Sequence, residues 1–531
     1  MKPTTALTRL YARLTRRSGL AWTSLLAVNA AVVVLGYEAA YPRAEQRELF
    51  AAQIGANLGF QALYGRAFDL LTAGGFTAWR FGGLVSVIVM IWGASSAIRL
   101  TRTEEQTGRG DLVGAGALTR RGWYGTAMAV AAGWQVLAGV FLWITLVAVG
   151  LVVGGSAVLA IEISCSGLTG VGFGLLAAQI WPTRARALGR SSLAIGALFI
   201  LRVVADGTTG LGWLRWGTPF GWGEESRPFT NGQRLWPLVL LAGLAGITAA
   251  VGAVLVLRRD VGGAFRTDHD HGPATTNWLR TLATLEVRVS AGSALGWAAS
   301  LAAVGVVTGM LASSVGAFAR DSPGYEQVMA KLGVGDLGRP AAFVGLMFSV
   351  LAVAVAVYAA RAAVAGADSE SEGLLDNLAA QPLTRRRWLL THSAVTTGYL
   401  VLVSVAAGLG SWVGVVAQGD SIAFSDALGA GLNLVPLAVL VLGIGALVHG
   451  AWPRAVGPVT LTVVVVGYLI ELIGSMLQAP TWLRDLSPFH HLSPFPAAPL
   501  RPEALLVLSA LGIGAAVVGA ELINRRDVLA R

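Results

Sequence analysis

The sequence predicts an all-α polytopic membrane protein with about twelve transmembrane helices, set out as two parallel six-helix repeats. Three observations predict it. The 531 residues are 55% hydrophobic and only 13% charged, with a mean hydropathy of +0.65, whereas a soluble chain of this length folds as several domains with about twice that share of charge. The apolar runs are continuous and approach or exceed the ~20 residues needed to cross a bilayer, which reads as helices rather than the alternating strands of a barrel. Finally, one polar segment is written twice. Glu105, Gly108, Asp111 and Leu118-Thr119-Arg120-Arg121-Gly122-Trp123 recur 265 positions later as Glu370, Gly373, Asp376 and Leu383-Thr384-Arg385-Arg386-Arg387-Trp388.

Taken in order, the chain opens on a basic amphipathic stretch. Arg9, Arg13, Arg16 and Arg17 share helical spacing with Leu7, Leu10, Tyr11 and Leu14, so residues 1–18 are expected to lie as a helix on the membrane surface. The apolar run 19–39 has no small-residue cleavage site and is expected to be retained as a span. The first half, 19–257, holds spans near 19–40, 81–100, 124–152, 157–180, 190–206 and 235–257. A polar linker, 258–290, carries a second basic amphipathic helix near Trp278–Arg288. Spans near 291–315, 341–364, 388–417, 427–450, 456–477 and 503–523 make up the second half, 291–523, ahead of a tail at 524–531. Arginines gather in 101–123, 181–189, 258–290, 365–387 and 451–455, whereas 41–80, 207–234, 316–340 and 478–502 are poorer in them. The positive-inside rule therefore puts the first group and both termini in the cytoplasm.

Further landmarks recur with nearly the same offset. Leu214-Arg215-Trp216-Gly217-Thr218-Pro219-Phe220 answers Leu483-Arg484-Asp485-Leu486-Ser487-Pro488-Phe489, Trp181-Pro182 answers Trp452-Pro453, and Arg258-Arg259-Asp260-Val261 answers Arg525-Arg526-Asp527-Val528. An even number of spans per half gives both halves one orientation, as in transporters built from parallel repeats.

Several chemistries find no support in the residues. The net charge of +10 sits at the ends of apolar runs rather than on one basic face, so no nucleic-acid partner is expected. No Gly-x-x-x-x-Gly-Lys-Ser/Thr phosphate loop occurs, so the chain is not expected to be an enzyme or to hydrolyse ATP itself. Cys165 is the sole cysteine, which rules out an intrachain disulfide and a thiolate metal cluster. Asp268-His269-Asp270-His271 reads as a solvated linker, and His490-His491 lacks a further ligand at metal spacing, so no metal site is expected. Gly170-Val171-Gly172-Phe173-Gly174 lies inside a span, where it suits close helix packing.

Charges inside spans are costly and mark candidate sites. Arg202 and Glu471 stand at equivalent places near one end of the fifth span of each half. They pair across the repeat axis, face their loops, or meet a substrate; the sequence leaves all three open. Glu162 begins the fourth span at a position matched by Asn433, with a hydrogen bond in the bundle or a transport role as its alternatives.

With its basic opening helix, six spans per half and the segment Glu-x-x-Gly-x-x-Asp…Leu-Thr-Arg-Arg-x-Trp after each second span, the chain resembles a type-2 ABC exporter permease. The duplicated layout, with Gly74-Gly75-Phe76-Thr77-Ala78-Trp79-Arg80 before the second span, is similar to the actinobacterial permeases that export polyketide antibiotics, the tetronasin-exporter-like group. That resemblance implies a permease of a bacterial plasma membrane that moves hydrophobic or amphipathic small molecules outward by alternating access. It implies two copies of a separate cytosolic ATPase as partners, with ATP and magnesium bound there and no cofactor on this chain. By resemblance, Glu105, Gly108, Asp111, Arg120 and Arg121, with Glu370, Gly373, Asp376, Arg385 and Arg386, form the coupling segments that dock on the ATPase. Gly110, Gly114 and Gly116 weaken a helix in the first copy. A proton-coupled secondary transporter and a non-transporting scaffold or sensor tied to an ATPase remain the alternatives.

Overall fold

A computed structural model of the chain describes residues 3–55, 58–114, 118–207, 210–260, 262–266, 281–320, 340–371, 384–476 and 480–526. No strand occurs among them, and twelve helices are long and apolar enough to cross a membrane. The first six are α1 (Pro3–Ala40), α2 (Ala73–Leu100), α3 (Arg120–Ala148), α4 (Val153–Ile180), α5 (Arg184–Gly207) and α6 (Trp236–Arg258). The rest are α7 (Leu282–Arg320), α8 (Pro340–Ser371), α9 (Arg385–Ala417), α10 (Phe424–Ala451), α11 (Val456–Met476) and α12 (Pro502–Arg525). These helices form two compact units, Met1–His271 and Gly272–Arg531, whose boundary falls inside the expected linker. In the first unit α4 is the most buried span and packs on α2 and α6, while α1 lies on α3. In the second, α10 takes the central place against α8 and α12, and α7 lies on α9.

Small residues make these crossings possible, because lipid tails supply no hydrophobic drive between helices and close backbone approach must replace it. A Cβ on Gly170 or Gly174 would collide with the Met90 or Ala94 carbonyl of α2, and one on Gly172 would strike Thr248 of α6. The glycine run therefore lets α4 touch two neighbours at once. Gly305 and Gly309 of α7 interleave with Gly410 and Gly414 of α9 in the same way.

Two helices run further than their sequence suggests. α1 is one unbroken helix of 38 residues, so the basic stretch continues into the span instead of lying apart from it. Its buried positions Leu7, Tyr11, Thr15, Gly19, Thr23, Leu26, Ala30 and Val34 form one stripe at helical spacing, giving a single face along the whole length. Gly19, a natural place for a break, sits under the Trp134 ring, whose Nε1 donates to Thr15 Oγ1 at 2.9 Å. Likewise α7 is continuous from Leu282. α2 begins at Ala73, ahead of the expected 81, because Thr72 caps it by accepting from the Gly75 amide at 3.0 Å. The Phe229 ring fills the space that a Cβ on Gly74 or Gly155 would need, and Asp69 fills that beside Gly75.

Replacing Gly170 with Ala should therefore cost about 1–3 kcal/mol by forcing α2 and α4 apart. Gly133→Ala, where nothing lies within 4 Å of the added methyl, should be neutral or stabilising by up to about 1 kcal/mol. Thermal unfolding of both variants in detergent tests this, and a Gly170→Ala midpoint no lower than that of Gly133→Ala would refute the packing account.

Candidate functional site

The repeated segment sits at the arginine-rich end of each unit, and the structure gives most of its residues a task. In the first unit Thr119 caps α3 by accepting from the Gly122 amide at 3.1 Å. Arg120 donates to the carbonyl of Arg259, at the end of α6, at 2.7 Å. The Trp123 indole donates to the Tyr11 hydroxyl of α1 at 2.7 Å. Ahead of these, residues 102–114 form two short helices, Arg102–Gln106 and Arg109–Gly114, divided at Gly108 with φ +72°. Glu105 is buried there between Arg102 at 2.7 Å and Arg259 at 2.5 Å. The Arg259 fork also donates to Gln179 Oε1 of α4 at 2.7 Å and to the Gly263 carbonyl at 2.9 Å.

Matched residues in the second unit do the same. Thr384 caps α9 by accepting from the Arg387 amide at 3.2 Å, and Arg385 donates to the Arg526 carbonyl at 2.9 Å. Trp388 donates to Glu286 of α7 at 3.0 Å. Glu370 takes both carboxylate oxygens to Arg526, at 2.5 and 2.7 Å, and meets the buried His449 ring at 2.8 Å. In each unit the described residues at the two ends of the segment are thus tied in, the Glu to the Arg at the end of the last helix and the Trp at the start of the third helix to the opening helix.

Only part of the expected docking set faces outward. Glu105 and Glu370 turn inward into ion pairs, and Arg120 and Arg385 are committed to carbonyls. Asp111 and Arg121 are exposed, with open space around Gly108. Arg386 is exposed and pairs with Glu521 at 2.9 Å. Gly373 and Asp376, like Gly116 and the Asp268–His271 stretch, lie outside the described residues.

At the opposite end, each unit folds an aromatic loop over the fifth and fourth spans. Arg202 is fully buried and reaches Glu224 at 2.5 Å, Asp206 at 3.5 Å and the Ala62 carbonyl at 2.8 Å. Arg215 pairs with Asp206 and approaches Glu225 at 3.7 Å, and Arg227 joins Glu225 at 2.6 Å. Burial pushes the Glu224 carboxyl up from its ordinary value, Arg202 opposes the rise, Asp206 adds to it and Arg215 opposes it. The signs are reversed in the second unit. Glu471 meets His490 at 2.9 Å and Arg484, the counterpart of Arg215, at 3.5 Å. Arg202 and Glu471 both face their own loops. His490 therefore does have acidic neighbours, yet no three His, Cys, Asp or Glu residues gather as a metal site among the described residues. Glu162 is buried and accepts from Ser226 Oγ at 3.4 Å, while its match Asn433 donates to the Ser493 carbonyl at 2.8 Å.

Comparison with known proteins adds a relative to this geometry. Residues 279–522 match the family described as multidrug efflux system permease Rv1217c, C-terminal domain. Across 99% of its length the chain is 29% identical to the multidrug efflux system permease protein Rv1217c of Mycobacterium tuberculosis, covering 95% of that protein. The likeness extends through both units. It supports reading the twelve helices as those of a multi-pass membrane protein.

Sequence reasoning missed Arg259 and Arg526 as functional residues, having taken them only as landmarks of the repeat. A signal was present. Glu105 and Arg259 are 154 positions apart, and Glu370 and Arg526 are 156, so an acid and a base recur together at nearly constant separation. Gln179, Asp206, Glu224 and Ser226 carried no comparable signal.

Glu105→Ala should destabilise the chain by about 3–5 kcal/mol, because it strands two buried guanidiniums. Glu370→Ala should cost less, since Arg526 is more exposed than Arg259, at 18% against 5%. Thermal unfolding of the two variants side by side checks the order, and a larger loss for Glu370→Ala would count against it.

Proposed function

We propose that the chain is the permease subunit of an ATP-driven multidrug exporter in a bacterial plasma membrane, with the arginine-rich end and both termini in the cytoplasm. One observation carries the reading: in each unit the described residues at the two ends of the segment after the second span are tied to the opening and last helices of that unit. A push on such a segment has a stiff route into the bundle, which is what a coupling element needs. Asp111 and Arg121 supply exposed charge for docking on a separate ATPase, and Glu105 and Glu370 act behind that surface as struts. Two ATPase subunits, holding ATP and magnesium, would engage the two segments of one chain. The halves are then a parallel duplication that alternates between inward and outward openings, and the relative named for multidrug efflux supports outward movement of amphipathic small molecules. Polyketide antibiotics are one class within that range.

Tagged wild type, gently solubilised, should retain an ATPase from its source organism. Asp111→Arg combined with Asp376→Arg should lose it, and Asp111→Arg alone should leave the melting temperature unchanged, because Asp111 is exposed. Retention of the ATPase by the double variant, or transport by the lone chain on a proton gradient, would overturn the proposal.

A further inference from the structure

A small polar cavity of about 30 Å³ opens at the aromatic-loop end of the first unit, lined by residues that include Tyr64, Ala78, Trp79, Glu162 and Glu224. That volume admits about two waters. Most of the charges around it are already engaged. Glu224 holds Arg202 at 2.5 Å. Arg227, which also lines the cavity, is turned to Glu225 at 2.6 Å and stacked over Phe68 at 4.5 Å from its centroid. Asp69 accepts from the Leu71 amide at 2.9 Å and the Thr72 hydroxyl at 2.6 Å. Arg66 is exposed. Glu162 is the exception: it is 4% exposed, and its hydrogen bond from Ser226 is long at 3.4 Å. Among the described residues no Arg, Lys or His lies within ion-pair distance of it. An ionised carboxylate in such a place is costly without a counter-charge.

The second unit shows that tying the fourth span to its loop requires no charge. Asn433 makes that tie with a neutral amide at 2.8 Å. The acid at 162 is therefore surplus to the structural task, and it faces a cavity whose lining also includes Tyr64 and Trp79, with the Arg80 guanidinium already over the Tyr64 ring at 5.6 Å. A buried carboxylate in such a cavity suits a cation carrying N–H donors. A bare metal ion is a poor fit, since no three ligands of the usual kinds gather among the described residues. The volume excludes a quaternary ammonium.

We propose that this cavity binds a small primary ammonium group, held by the Glu162 carboxylate and flanked by Tyr64 and Trp79. The site requires no ATPase, so the test uses the full chain alone. Equilibrium dialysis of the detergent-solubilised protein with radiolabelled methylammonium should show a single saturable site. Unlabelled methylammonium should displace the label, and tetramethylammonium or sodium at the same concentration should not. Glu162→Gln should bind about tenfold or more weakly, the loss of one charge-assisted contact, with its melting temperature unchanged. Ala78→Leu fills the cavity without removing a charged residue and should abolish binding. The proposal fails if binding to wild type does not saturate, if tetramethylammonium or sodium competes equally, or if a folded Glu162→Gln binds as wild type does. Should Glu162→Gln not fold, the wild-type competition and Ala78→Leu decide the matter.

Discussion

A buried ion pair at the arginine-rich end organises each unit. Helix ends leave carbonyls without partners, and in a bundle surrounded by lipid such groups must be satisfied from within. Arg259 answers this with one planar fork, joining the Glu105 carboxylate, the Gln179 side chain and the Gly263 carbonyl. Its own carbonyl accepts from Arg120. Three segments distant in sequence thus meet at one guanidinium, and the geometry suits Arg where Lys would offer only a point charge. In the second unit Arg526 holds the corresponding position, with His449 contributing where the first unit uses Arg102.

The opposite ends meet one requirement with reversed charge. A span that finishes under an aromatic loop needs a polar anchor, and either sign works if the loop supplies the other. Arg202 is met by Asp206 and Glu224, whereas Glu471 is met by Arg484 and His490. The first unit buries more charge in its loop than the second. That asymmetry, together with Glu162 opposite Asn433, makes the two units chemically unequal despite their matched helices.

Close packing and polar anchoring divide the work along each span. In the middle, glycines such as Gly170 and Gly174 bring backbones together with no side chain between them. Near the ends, ion pairs, caps and indole hydrogen bonds set where a helix stops.

The sequence by itself determined the class, the number of spans and the two basic segments. Hydropathy and repeated tetrapeptides are local signals that survive without coordinates, whereas the capping roles of Thr119 and Thr384 emerge only in the folded chain. Only the tertiary structure decided which partner each charge takes. Periodicity assigns a residue to a helix face, but Glu105 meets Arg259 across 154 positions because the ends of two spans converge. The same limit hid the continuity of α1, whose basic stretch and span share one buried stripe that becomes visible only once α3 lies against it. Ion-pair choice depends on distance and burial, and both exist only after the chain has folded.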